Sequence, residues 1–149
     1  MKERSAMNSS IGPVYVTRRA VFSSAHRLHS PHLSDGDNAT LYGKCNNPQG
    51  HGHNYELEVT LKLPMDPRTG MGINLVDLKR IMDERVCSEL DHKHLEQDTP
   101  HFRDLPSTAE NVSVVCWRLL EPHVPAHSLY EVRVRETENN VAFYRGPNG

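Results

Sequence analysis

His51-Gly52-His53 puts two imidazoles on one side of an extended segment, because side chains along a strand alternate between its faces. His26 closes the preceding extended segment in a phase that turns it toward the same interior, so it can approach the pair from a neighbouring strand. Three neutral imidazoles with one open position form a catalytic zinc pattern, in which the metal polarises an oxygen or lowers its proton affinity. An HxH pair alone is equally compatible with two polar residues at a strand mouth; the third in-phase histidine makes His26, His51 and His53 the candidate metal ligands. His29 and His32 fall in the loop that follows and are expected to matter less.

Other reactive residue types lie close by in sequence. Cys45, in Gly43-Lys44-Cys45-Asn46-Asn47-Pro48, reads either as a small buried thiol or as a base or nucleophile, its thiolate favoured by Lys44 and a nearby metal. Asp91 directly precedes His92, and a carboxylate there can orient an imidazole and raise its basicity for proton relay; a polar helix terminus is the plainer alternative. Glu136 ends an apolar strand phase, where it either emerges into solvent or is buried and needs partners. Thr108 and Glu110 are well placed to start a helix.

The elements that must carry these residues follow from periodicity. Val14 to His26 reads as a strand, with Val14, Val16, Ala20, Phe22 and His26 on one parity. Residues 28–50 are rich in Gly, Asn, Pro and Ser and read mostly as a functional loop. His51 to Leu63 alternates, with Tyr55, Leu57, Val59, Leu61 and Leu63 continuing the face that the two histidines begin. Asp66 to Gly70 reads as a turn. Asn74 caps a helix running to about Leu90, with Leu75, Leu78, Ile81, Met82 and Val86 at helical spacing. Ser107 and Glu110 resemble a capping box opening a second helix through Leu120. Leu129 to Thr137 returns to period two with Tyr130, Val132, Val134 and Glu136 on one face, and a hairpin at Glu138-Asn139-Asn140 leads into residues 141–145.

The order ββααββ predicts an α+β, two-layer fold: a four-stranded, mainly antiparallel sheet with both helices on one face. Val21, Ala25, Thr60, Ala142 and Tyr144 are then expected on the other sheet face, which oligomerisation would cover.

The chain of 149 residues suits one core, so a single domain over residues 13–147 is expected, with residues 1–12 a flexible N-terminal segment. With 17 Lys plus Arg against 19 Asp plus Glu, the net charge of -2 gives no electrostatic case for nucleic-acid binding. No stretch resembles a secretory signal or membrane span, which sets the expectation of a cytoplasmic protein without membrane association. Cys45, Cys87 and Cys116 are odd in number and widely spaced, so they are read as thiols, the latter two as helix packing residues.

Taken in order, Phe22 to Leu28 (FSSAHRL), Tyr42 to Tyr55 (YGKCNNPQGHGHNY), Thr69 to Lys79 (TGMGINLVDLK), Leu90 to Leu95 (LDHKHL), Ser107 to Asn111 (STAEN) and Glu136 to Gly146 (ETENNVAFYRG) resemble the 6-pyruvoyl-tetrahydropterin synthase family. That resemblance implies zinc on His26, His51 and His53, a catalytic triad of Cys45, Asp91 and His92, and a pterin anchor at Glu136, with Thr108 and Glu110 beside the substrate. It also implies the tunnelling fold, in which three subunits join sheets into a barrel and two trimers stack as a homohexamer with active sites between subunits. The implied reaction takes 7,8-dihydroneopterin triphosphate to 6-pyruvoyl-tetrahydropterin with loss of triphosphate, a step of tetrahydrobiopterin biosynthesis, with magnesium accompanying the triphosphate. Arg19, Arg27 and Lys44 are the cations available to that group.

Two other readings stand beside this one. A 6-carboxy-tetrahydropterin synthase would share fold, metal and substrate, but its cysteine usually precedes the first histidine of HGH by four positions, whereas Cys45 precedes His51 by six. A noncatalytic pterin-binding oligomer would not need the proton-transfer residues.

Overall fold

The computed structural model describes residues 11–149; the expected flexible segment, 1–12, falls almost wholly outside the described residues. Two 13-residue strands, β1 (Val14–His26) and β2 (His51–Leu63), pair antiparallel along their whole length, from Val14 opposite Leu63 to His26 opposite His51. Their register is fixed by burial: Phe22, Tyr55, Leu57, Val59 and Leu61 all turn inward, and a one-residue slip would expose the whole set. β4 (Leu129–Thr137) pairs antiparallel with β2, and β5 (Asn140–Tyr144) with β4.

The sheet has five strands rather than the expected four. Lys93 and His94 form a two-residue β3 that pairs parallel with β1 at Ser24 and Ala25, giving the order β3-β1-β2-β4-β5 and making the sheet mixed. The span expected to be loop also contains structure: α1 (Asp35–Tyr42) is capped by the Ser34 side chain and runs into a 3-10 turn at Gly43–Asn46. Only Asn38 of α1 is buried, so no apolar stripe announces it.

α2 (Leu75–Met82) starts at the Asn74 cap, whose side chain accepts from the Val76 N–H at 3.0 Å, and continues through a π-helical turn (Asp83–Cys87) and α3 (Ser88–Leu90) to the expected end at Leu90. Its buried residues Leu78, Met82, Val86 and Leu90 recur every fourth position. On a regular helix that spacing drifts by about 40° per step, and the wide π turn takes up part of the drift. A short α4 (Leu95–Asp98) follows β3, and α5 (Ala109–Leu120) packs against β4 and β5. The α+β architecture holds, with these short elements added to the two expected helices. No helix among the described residues is long and apolar enough to cross a membrane.

Two parity expectations are corrected. A bulge shifts the β2–β4 register between Thr60 and Leu61, so Leu129 packs on the core while Tyr130 meets Tyr15 on the opposite face, ring centroids 4.9 Å apart. On β5, Ala142 and Tyr144 pair with the buried Val134 and Val132, and Tyr144 packs on the core against Trp117. The outer face therefore carries Val141 and Phe143, not Ala142 and Tyr144, alongside the expected and exposed Val21.

Candidate metal centre and substrate cavity

His26 and His51 are direct cross-strand partners, and His53 follows two residues along β2 on the same face. This is the least that a β-ladder needs to gather three side chains at one end of a sheet. One nitrogen from each ring lies within 4.8 Å of the others, and His26 Nε2 is 3.1 Å from His51 Nε2. Two nitrogens bound tetrahedrally at zinc-like distances would stand roughly 3.3 Å apart, so the cluster is already near the size a metal requires. His53 Nε2 is buried without a hydrogen-bond partner, which is costly unless something else takes its lone pair.

Burial, opposed by a hydrogen bond to the Ser107 carbonyl, lowers the pKa of His26 to about 4. Burial and the neighbouring His53 lower that of His51, and burial alone lowers that of His53. All three are held in the neutral form that ligates metal. The donor set, its spacing and its orphaned nitrogen fit a metal ion.

Glu136 comes off β4 beside this cluster, its Oε1 3.9 Å from His53 Nε2. Its side chain is only 17% exposed and has no Lys or Arg partner among the described residues. Burial raises its pKa, with His51 pulling the other way. An inward carboxylate with unused acceptor capacity suits a ligand presenting several N–H groups. A cavity of about 380 Å³ lies there, walled by Glu136, Thr108, Glu110, Leu28 and Asn139. The helix cap is Thr108, whose hydroxyl accepts from the Asn111 N–H; this corrects the expected capping box at Ser107, whose hydroxyl turns instead to Glu96.

Cys45 lies in the 3-10 turn, half-buried, and its carbonyl accepts from the N–H of Leu28, a wall of that cavity. Cys87 and Cys116 are poorer candidates for a reactive thiol, since burial pushes the first up to about 11 and the second higher still.

Asp91 and His92 stand elsewhere. Asp91 Oδ1 accepts from the Ser23 N–H at 2.8 Å, and its Oδ2 is 2.9 Å from His92 Nδ1, the orienting contact expected of the pair. The backbone N–H of His92 donates to Ser23 O at 2.6 Å, holding His92 at φ 59, a conformation non-glycine residues seldom adopt. Its side chain is 84% exposed and borders a second cavity, of about 420 Å³, with Ser23, Ala25, Gly52 and Asn54. Those residues have the parity opposite to the metal cluster, but Ser24, His53 and His94 border the cavity too, so it lies at the end of the sheet next to the cluster. Among the described residues no hydrogen bond or ion pair joins Cys45 to Asp91 or His92. One chain thus brings together the three histidines, Glu136, Thr108 and Glu110, and among the described residues makes no hydrogen bond or ion pair between the two parts of the expected triad.

Of the cations considered for the triphosphate, Arg19 is paired with Glu56 at 2.5 Å and Arg27 donates to the Asn46 carbonyl at 2.8 Å. Lys44 is unpaired among the described residues, and its charge reaches His51. Glu96 and Ser107, which touch the surroundings of His26, were not among the expected site residues; both lie at irregular junctions where periodicity assigns no face.

The family model of 6-pyruvoyl tetrahydropterin synthase matches residues 15–147. The human 6-pyruvoyl tetrahydrobiopterin synthase is 52% identical over 131 residues, covering 88% of this chain and 90% of the human one. The Drosophila melanogaster protein of the same name is 46% identical over 138 residues, covering 89% and 80%. The solved structure of Caenorhabditis elegans 6-pyruvoyl tetrahydropterin synthase superposes with a TM-score of 0.87 at 41% identity, over 90% of this chain and 96% of that one.

Proposed function

The chain belongs to the 6-pyruvoyl tetrahydropterin synthase family, and from that premise we propose that it converts 7,8-dihydroneopterin triphosphate to 6-pyruvoyl-tetrahydropterin and triphosphate in a zinc-dependent reaction. The observation that carries this reading is the convergence of His26, His51 and His53 beside the inward carboxylate of Glu136, which has no Lys or Arg partner among the described residues. A single domain over residues 13–147 performs the reaction.

Zinc held by His26, His51 and His53 would supply Lewis acidity toward the oxygens of the substrate side chain. Glu136 accepts hydrogen bonds from ring N–H groups and fixes the pterin, while Thr108 and Glu110 shape the cavity wall. Cys45 removes a carbon-bound proton from the side chain. His92, oriented by Asp91, takes up or returns protons as the side chain tautomerises and triphosphate departs. Oxidation of the side chain balances reduction of the ring within one molecule, so no external electron carrier is involved. Lys44 meets the triphosphate, with magnesium arriving on that group.

The lack of a contact between Cys45 and Asp91 or His92 among the described residues supports a site shared between copies, with one chain giving the metal, Glu136 and Cys45 and another giving Asp91 and His92. A homohexamer of two trimers in the cytoplasm, with the sheets joined as in the tunnelling fold, is the assembly proposed.

Product identification tests the reading. Zinc-loaded protein incubated with 7,8-dihydroneopterin triphosphate should release triphosphate and yield the pyruvoyl product. A carboxy product with acetaldehyde would assign it to the 6-carboxy branch, and no turnover by correctly assembled protein would make it a pterin-binding oligomer.

A further inference from the structure

Glu96, on α4, commits its two carboxylate oxygens to the two segments that hold His26. Oε1 accepts the hydroxyl of Ser107, and Oε2 accepts the backbone N–H of Arg27, the residue after His26, at 3.2 Å, with His94 Nδ1 3.4 Å from the same oxygen. Ser107 is fully buried and faces His26 with both of its oxygens: the ring Nδ1 is 2.9 Å from the Ser107 carbonyl and 3.1 Å from its Oγ. A carboxylate only accepts, so the single hydroxyl hydrogen of Ser107 is drawn to Glu96, and Oγ meets the ring with a lone pair. Nδ1 then faces two near acceptors, with the Tyr55 hydroxyl farther off at 3.5 Å, and carries the proton. That leaves the lone pair on Nε2, the nitrogen 3.1 Å from His51 and turned into the cluster.

We propose that Glu96 is a positioning residue for His26, acting through the Ser107 hydroxyl to fix the tautomer and aim of the ring and so to set how tightly the three-histidine site holds its metal. The inference rests on the metal site proposed above. Without the carboxylate, the hydroxyl is free to turn and donate to Nδ1, and the ring can then place its proton on Nε2, where a ligand lone pair is needed. The negative charge of Glu96 also reaches His51, so its loss removes an electrostatic contribution that favours a cation in the cluster.

Zinc affinity measured by chelator competition, on wild type, Glu96→Gln, Glu96→Asp, Ser107→Ala and the Glu96→Gln/Ser107→Ala double variant, tests this. Glu96→Gln, whose amide can donate as well as accept, and Ser107→Ala should each weaken zinc binding by about 10- to 100-fold. The double variant should be no weaker than the worse single one, because the two residues act in series. Glu96→Asp should recover part of the affinity. In metal-free protein, nitrogen NMR of His26 should show one tautomer, protonated on Nδ1, in wild type and a mixture in Glu96→Gln. Unchanged zinc affinity in Glu96→Gln, additive losses in the double variant, or a single Nδ1-protonated tautomer in every variant would overturn the proposal. Should Glu96→Gln fail to fold, Ser107→Ala decides by zinc affinity: the carbonyl of residue 107 still holds the proton on Nδ1 there, so unchanged affinity would overturn the proposal. A wild type that binds no zinc would defeat the metal site itself, while the tautomer signal would still judge Glu96.

Discussion

At the scale of single residues, the site sets neutral imidazoles against a carboxylate that has no Lys or Arg partner among the described residues. His26 is buried deeply enough to stay uncharged at neutral pH, and His53 hides a nitrogen that finds no protein partner, so both positions cost stability unless a metal offsets them. Alanine at His26, His51 or His53 should each reduce bound zinc, read by metal analysis; a full, tightly held complement in all three variants would refute the assignment. Cys45 and Glu136 should separate chemistry from binding. Cys45→Ala is expected to keep zinc and pterin while single-turnover triphosphate release is largely lost, since a base acts in the transition state. Glu136→Ala should weaken pterin binding by about 2 kcal/mol or more in calorimetry, because ring donors lose a charged acceptor. The convergence of His26, His51 and His53 was legible from parity, since they share a phase with Phe22, Tyr55 and Leu57. Glu96 and Ser107 were not, because they sit where the chain is irregular and no period assigns a side chain to a face.

Among the elements, the junctions carry as much of the site as the strands do. Gly50, just before β2, has φ +78, and a Cβ there would lie 2.8 Å from the His26 carbonyl and 3.2 Å from His94 Nε2. Gly50→Ala should therefore cost more than about 1 kcal/mol in denaturant unfolding and weaken zinc binding as well, since the displaced carbonyl belongs to His26, a proposed ligand. The α3–β3 junction is tied to β1 through Asp91. The hydrogen bond from Ser23 N–H is the main cause holding the Asp91 carboxyl below its ordinary range. A depressed folded-state pKa gives stability that is present above the unfolded value and is lost as pH falls through the folded one. The stability gap between wild type and Asp91→Asn should thus be full near neutrality and close below about pH 4, as urea midpoints across pH would show. The long strands and the helix from Asn74 to Leu90 were readable because their apolar spacing is strong. α1 was not, having almost no buried side chain, and the β4 bulge was not, because an inserted residue reverses parity without altering composition.

For the whole molecule, the reverse face of the sheet is the informative surface. Tyr15, Val21, Val141 and Phe143 are exposed there. The net charge and the outward Val21 were readable in the sequence; Val141 and Phe143 were not, because the pairing of β5 with β4 sets its parity, and neither was the lack of contact between Cys45 and the Asp91–His92 pair, since periodicity does not say which segments meet. The central claim is that the reaction needs Cys45 from one chain and Asp91 with His92 from another. Mixing Cys45→Ala protein with His92→Ala protein under conditions that let subunits exchange tests it directly, with triphosphate release as the readout. Each variant alone should be nearly inactive. At equal mixing, the shared-site arrangement predicts recovery to about a quarter of wild-type activity, from sites that draw an intact Cys45 and an intact His92 from different chains. Mixed oligomers that form, hold zinc and stay as inactive as their parents would contradict it.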